Sequence, residues 1–202
     1  MARQPKPAIT SSAVHDLIRH RWSPRAFAPT PVSASDLASV FEAARWAASS
    51  NNGQPWRFIV ATSADTAAHD AAADCFNPRN QRWARPAPVL IFALTRKLAD
   101  NGSANMHHWY DTGAAVAQLS LQAEALGLVV HQAAGIDRDR VRATYGVPDD
   151  VDVVIGFALG HPGDPEALPE ELPGREKEPR GRKPLGDIVF AGTFGETAPF
   201  AK

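Results

Sequence analysis

Ala43-Ala44-Arg45-Trp46-Ala47-Ala48-Ser49-Ser50-Asn51-Asn52-Gly53-Gln54-Pro55-Trp56-Arg57-Phe58 reads as the end of a helix running into the start of a strand. Ser49, Ser50, Asn51, Asn52 and Gln54 lie between the two, with Gly53 among them and apolar residues on both sides. That flanking predicts amides and hydroxyls held in place. An Asn or Gln amide offers donors and an acceptor together, so the set could read the edge of a planar heterocycle with alternating N–H and C=O groups. Ser, Asn and Gly also gather at helix-to-strand junctions because they cap and turn the chain. The stretch alone leaves both readings open.

Upstream, Ser33 with Asp36 makes a capping-box-like start. Leu37, Val40, Phe41, Ala44 and Ala48 then form one helical face that delivers the chain to this junction. Earlier still, residues 1–11 are polar and proline-containing, which predicts a loose segment. Ala13, Val14, Leu17 and Ile18 have helical spacing. They lead into His20-Arg21-Trp22-Ser23-Pro24-Arg25-Ala26-Phe27, where Pro24 disfavours helix at Ser23. This is either a solvated basic turn or an anion site in which Arg21 and Arg25 present guanidinium forks.

Downstream, Trp56–Ala61 reads as a buried strand, Asp65–Ala73 as a short helix and Asn77–Pro88 as a loop. The unbroken apolar run Val89–Leu94 fits a central strand. Gly113–Leu126 is apolar nearly all round, as expected of a helix inside a protein or at a subunit interface. Gly127 would cap it. His107 and His108 are adjacent, so on a helix they point about 100° apart, and no HExxH pattern follows; a metal site is not expected. Leu128–His131 reads as a strand. Ala133, Ala134 and Gly135 then let the backbone approach a ligand closely. Asp137 caps a short helix to Thr144, and Val151–Leu159 is a further buried strand.

From His161 the composition changes. Pro162, Pro165, Pro169, Pro173, Pro179 and Pro184 punctuate a charged segment with little to bury. It is either a disordered tail or an arm lying along another surface. Arg180-Gly181-Arg182-Lys183-Pro184 is a second basic cluster within it, and Ile188–Ala191 is expected to add a short strand. The organisation expected is one domain over residues 1–202, with 162–202 as its extended C-terminal arm.

The 202 residues suit a single domain. Hydrophobic residues at 44% and charged ones at 21% are ordinary for a soluble globular protein. A net charge of −1 implies no general attraction to nucleic acid or membrane. Cys75 stands alone, so no internal disulfide forms, and a reducing, cytoplasmic setting is expected. Its own expected role is that of a small buried hydrophobe. Neither a secretory signal nor a membrane span is expected from the apolar runs. GxGxxG, a Walker loop, GxSxG and Cys/His zinc spacing are all missing. A phosphate would therefore rest on arginines, not on a glycine-rich helix start.

Five motifs taken in order resemble the FMN-dependent nitroreductase family. They are Arg21–Phe27, Ser49–Trp56, Asp111-Thr112-Gly113-Ala114-Ala115, Ala134-Gly135-Ile136-Asp137 and Arg180–Pro184. The resemblance spans almost the whole chain. It implies an α+β fold with a central, mostly antiparallel sheet flanked by helices. It also implies a homodimer with two FMN sites at its interface, and a C-terminal arm exchanged between subunits. Carried over by position, Arg21, Ser23 and Arg25, with Trp22 between them, would lie against the FMN phosphate and ribityl chain. Arg180 and Arg182 would close over that phosphate. Ser49, Ser50, Asn52 and Gln54 would meet the flavin ring from the same subunit or its partner, and the backbone at Ala134-Gly135 would donate to flavin N5. Ala48, Ala134 and Trp22 depart from residues common in the family, which bears on the substrate pocket.

No side chain is assigned as a catalytic acid or base, since the flavin itself would carry the hydride. The implied activity is NAD(P)H-dependent reduction of a small electron acceptor: a nitroaromatic, a quinone or a conjugated carbonyl. One site would serve both substrates in turn, giving ping-pong kinetics. The same fold could instead serve dehalogenation or flavin cleavage, or flavin storage without turnover.

Overall fold

In the computed structural model, residues 6–201 are described. The fold is built on β2 (Val89–Arg96), whose residues from Val89 to Thr95 are all buried. It pairs antiparallel with β1 (Trp56–Thr62) on one side, Trp56 facing Thr95 and Thr62 facing Val89. On its other side lies β4 (Val151–Gly160), with Val89 facing Leu159 and a bulge between Ala93 and Leu94. β3 (Val129–Ala133) pairs antiparallel with the far side of β4, so the order is β1-β2-β4-β3.

Side chains alternate across a strand, and β2 shows what that does. Leu90, Phe92 and Leu94 enter one core cluster. Val89, Ile91 and Ala93 enter the other. A strand covered on both faces reads as a continuous apolar run, which is why this one was visible in the sequence. The second cluster is closed by α2 (Ala34–Arg45) and α5 (His108–Ala125), through Val40 and Ala44 of the former and Ala115, Val116, Leu119 and Ala123 of the latter. The first cluster draws on α3 (Thr66–Asp74), α4 (Pro78–Ala84) and α6 (Arg138–Tyr145). It also takes Leu172 from α7 (Leu172–Lys177). The short α1 (Asp16–His20) has no buried residue.

The caps expected at Ser33 and Asp137 are present: Ser33 accepts from Asp36 N–H and Asp137 from Arg140 N–H. Asp65, expected as the first residue of its helix, caps it by accepting from Ala68 N–H. The expected loop at Asn77–Pro88 is instead largely helical. Asn77 caps α4, and Pro78 occupies its first turn, where a missing N–H costs nothing. Of the expected strand Ile188–Ala191, only Phe190 pairs, in an isolated bridge to Thr197. Cys75 is buried, and burial raises its thiol pKa, as suits an unreactive core residue.

The proline-rich segment divides in two. Its first half docks on its own chain. Pro162 bridges Phe27, Gly163 N–H donates to Ala26 C=O at 2.9 Å, and Ala28 N–H donates to His161 C=O at 2.9 Å. Beyond Pro184, Leu185, Ile188, Phe194 and Phe200 stand exposed. No helix among the described residues is long and apolar enough to cross a membrane.

Candidate functional site

The two basic clusters of the sequence meet. Arg21, at the end of α1, lines one cleft of about 660 Å³ together with Arg180, Arg182 and Lys183. Thr10, Ser11 and Ser12 add hydroxyls; Ile9, Val14 and Ile18 add an apolar wall. No carboxylate lines this cleft among the described residues. Four cations beside hydroxyl donors are a set whose chemistry suits an anion. Ser23 does not line this cleft, but Arg21 donates to Ser23 Oγ at 3.3 Å. Arg180 donates to the carbonyls of Lys6 at 3.0 Å and Arg19 at 2.9 Å, tying the arm to the chain before and within α1.

Arg25 is placed differently. It does not line that cleft, and its guanidinium lies 3.7 Å from the carboxylate of Glu176 on α7. Burial pulls its pKa down, and the Glu176 charge opposes this. Trp22 carries the Lys6 ammonium 4.6 Å above its ring and keeps a buried Nε1 without a hydrogen-bond partner. On the other side of the loop, His131 Nδ1 donates to Pro24 C=O at 2.9 Å, and its ring lies 4.1 Å from that of Trp83. Burial holds the imidazole neutral, with its pKa lowered to about 4, and the nearby Arg25 and Arg21 charges add to this.

The Ser49–Gln54 turn lies elsewhere on the surface. Its Ser50, Asn51, Asn52 and Gly53, but not Ser49 or Gln54, line a cleft of about 570 Å³ with residues of the 99–107 loop, and no described residue lines both this cleft and the basic one. The turn is held from within. Ser49 Oγ accepts from Gln54 N–H at 3.1 Å, and Gln54 Nε2 donates to Asn52 C=O at 3.0 Å. It is also held from below, because buried Asp111 accepts from Ser50 N–H at 3.1 Å. Asn51, Asn52 and Gln54 all have positive φ, at 51°, 55° and 41°. Side-chain-bearing residues adopt that region at a cost of order 1 kcal/mol each, and such strain clusters at working sites. Asn51 and Asn52 are exposed.

Ala134 and Gly135 follow β3. A Cβ on Gly135 would come within 2.4 Å of Asn77 Nδ2 and 2.5 Å of Asn80 Nδ2, so a larger residue there would push these two amides aside. Asn80 Nδ2 in turn donates to Gly135 C=O at 3.1 Å. Sequence reasoning missed Asn77, Asn80, Asp111, His131 and Glu176. Asn77 before Pro78 was a readable cap signal, and a histidine inside an apolar strand was another. Asp111 lay within a motif but carried no assigned role. Glu176 had no signal, being one acid in a charged segment.

The nitroreductase family model matches residues 18–79 and 66–161. An uncharacterized 15.4 kDa protein of Mycolicibacterium smegmatis is 35% identical over 145 residues, covering 69% of this chain and 97% of its own. A putative NADH dehydrogenase/NAD(P)H nitroreductase of Xanthomonas oryzae is 27% identical over 175 residues, covering 77% and 89%. The crystal structure of an oxidoreductase containing FMN matches with a TM-score of 0.89 and 35% identity, over 98% of this chain and 100% of that one.

Proposed function

The chain belongs to the nitroreductase family, and from that premise we propose that it is an FMN-dependent oxidoreductase drawing hydride from NADH or NADPH. Its acceptors are small electrophiles: nitroaromatics, quinones or conjugated carbonyls. The observation that carries this reading is the convergence of Arg21, Arg180 and Arg182, from opposite ends of the sequence, on one cleft without a carboxylate. The donor set fits a phosphate ester and the hydroxylated chain beside it, with guanidiniums for the first and Ser23 for the second.

FMN, when bound, supplies the chemistry by accepting a hydride and passing it on. The protein's part is to bind and orient. Arg21, Arg180 and Arg182 would hold the phosphate. The preorganised Ser49, Ser50, Asn52 and Gln54 turn would meet the flavin ring, and the Ala134-Gly135 backbone would donate to it. The separation of the turn from the basic cleft within one chain supports a site shared across a homodimer interface. Exposed Leu185, Ile188, Phe194 and Phe200, together with Trp46, Met106 and Tyr110, supply apolar surface for such an interface. The exchanged part of the arm is then residues 185–202. One site visited by NAD(P)H and acceptor in turn gives ping-pong kinetics.

The purified protein is expected to be yellow and to release FMN, not FAD, on denaturation and chromatography. Anaerobic titration with NADH and with NADPH should bleach it, and a nitroaromatic should restore the colour. Release of FAD, or a colourless chain that cannot be reconstituted with FMN, sinks the assignment.

A further inference from the structure

Glu176 is a buried acid on a six-residue helix in the least core-like part of the chain. Its side chain is 1% exposed. One carboxylate oxygen accepts from the backbone N–H of Arg25 at 2.6 Å and of Ala26 at 3.2 Å. The other faces the Arg25 guanidinium at 3.7 Å and has no hydrogen-bond partner. The Glu176 carbonyl accepts from Lys6 Nζ at 2.7 Å. Four residues on, Arg180 reaches the Lys6 and Arg19 carbonyls. Three stretches distant in sequence are thus cross-tied: Lys6, Arg19–Ala26 and Glu176–Arg180. A buried charge is tolerated only when paired and hydrogen-bonded, and the hydrogen-bond and ion-pair partners of this carboxylate among the described residues, Arg25 and Ala26, lie in the loop carrying Arg21 and Ser23.

We propose that Glu176 is a positioning residue for the anion site: its carboxylate fixes the arm on the Arg25–Ala26 backbone of the same subunit and so sets Arg180 and Arg182 opposite Arg21. The phosphate-binding half of the arm therefore works in cis, and only the stretch beyond Pro184 is left to reach a partner. Glu176 touches no ligand. It acts through the two N–H groups it holds, so the oxygen acceptor matters more than the charge. This rests on the flavin reading for its ligand, though the clasp itself can be observed without one.

The test uses the full-length chain stripped of flavin, titrated with FMN and with riboflavin, which lacks the phosphate. Glu176→Ala should weaken FMN by about 10- to 100-fold and riboflavin by less than about threefold. Glu176→Gln keeps an oxygen for both N–H groups and should bind FMN within about threefold of wild type. If Glu176→Ala does not fold, Glu176→Asp replaces it. Withdrawn by one methylene, that carboxylate should lower FMN affinity selectively as well. Hydrogen exchange should show the Arg25 and Ala26 amides losing protection in Glu176→Ala while β2 keeps its own. Equal loss of FMN and riboflavin, unchanged FMN binding in Glu176→Ala, or a Glu176→Gln as weak as Glu176→Ala would each overturn the proposal. A wild-type chain that takes up neither flavin overturns the flavin reading instead. Amide exchange at Arg25 and Ala26 then decides the clasp alone: lost protection supports it and retained protection refutes it.

Discussion

His131 shows how much one side chain can carry. Its pKa is lowered to about 4 by burial, against an ordinary value in the mid-sixes. The unfolded chain therefore binds a proton as pH falls through the mid-sixes, and the folded chain resists until about pH 4. The neutral ring contributes no penalty above that window, and stability is lost steadily within it. At about pH 5 the loss from this residue is about 2 kcal/mol. His131→Gln, which can still donate to Pro24 C=O, should recover most of that loss. Urea unfolding of both proteins at about pH 7.5 and pH 5 checks it, and an unchanged pH dependence contradicts it. Gln54 is a second instance. Its φ of 41° is strained for a side-chain-bearing residue. Gln54→Gly relieves that strain while adding the flexibility cost of glycine, and the two nearly cancel at about 1 kcal/mol each. Stability should therefore hold within about 1 kcal/mol, while the bond to Asn52 C=O is lost and FMN binding weakens. A variant that binds FMN as well as wild type would take Gln54 out of the site.

At the scale of elements, two contacts place the functional segments. The first is the pairing of 26–28 with 161–163, which begins the arm's path. A Cβ on Gly163 would fall 2.4 Å from the Phe27 carbonyl carbon and 2.8 Å from Ala28 N, both backbone atoms unable to step aside. Gly163→Ala should destabilise the protein by about 1–3 kcal/mol, read as a lower urea midpoint. A midpoint equal to wild type would mean this pairing is not needed. The second is α5 beneath the Ser49–Gln54 turn. Asp111→Ala removes the acceptor of Ser50 N–H, and flavin affinity should fall more than global stability does. The all-round apolar character expected of α5 is resolved by its surroundings. Its buried face, Ala115, Val116, Leu119 and Ala123, packs with α2 and the sheet, whereas Ala117, Gln118 and Ala125 remain open.

For the whole molecule, the division of the arm makes a prediction that the sequence alone could not frame. Removing residues 185–202 deletes Leu185, Ile188, Phe194 and Phe200 but leaves Leu172, Glu176 and Arg182 in place. The shortened chain should keep its sheet and the cross-tie at Arg25, yet lose dimerisation and with it most flavin. Removing everything from Pro162 should additionally uncover the core around Leu172 and give an aggregating chain. Light scattering with size-exclusion, and flavin absorbance on the same samples, separate the two truncations. A chain lacking 185–202 that stays dimeric and yellow would contradict the exchange model.

The sequence by itself determined the elements, because their causes are local. Side-chain alternation at Val89–Leu94, the caps at Ser33 and Asp137, and the turn chemistry of Ser49–Gln54 all act within a few residues. Where local signals conflicted, as at Asn77-Pro78, the punctuation was visible but its sense was not, since proline ends one helix and begins another. Motif order was enough to reach the family, and it singled out Arg21, Arg180 and Arg182, which the fold brings to one cleft. Only the tertiary structure decided that Arg25 turns to Glu176, that half of the arm folds back on its own chain, and that His131 supports the loop beneath it. Those contacts join residues more than a hundred positions apart. They depend on how the sheet and its helices bring distant segments together, and no window of sequence contains that geometry.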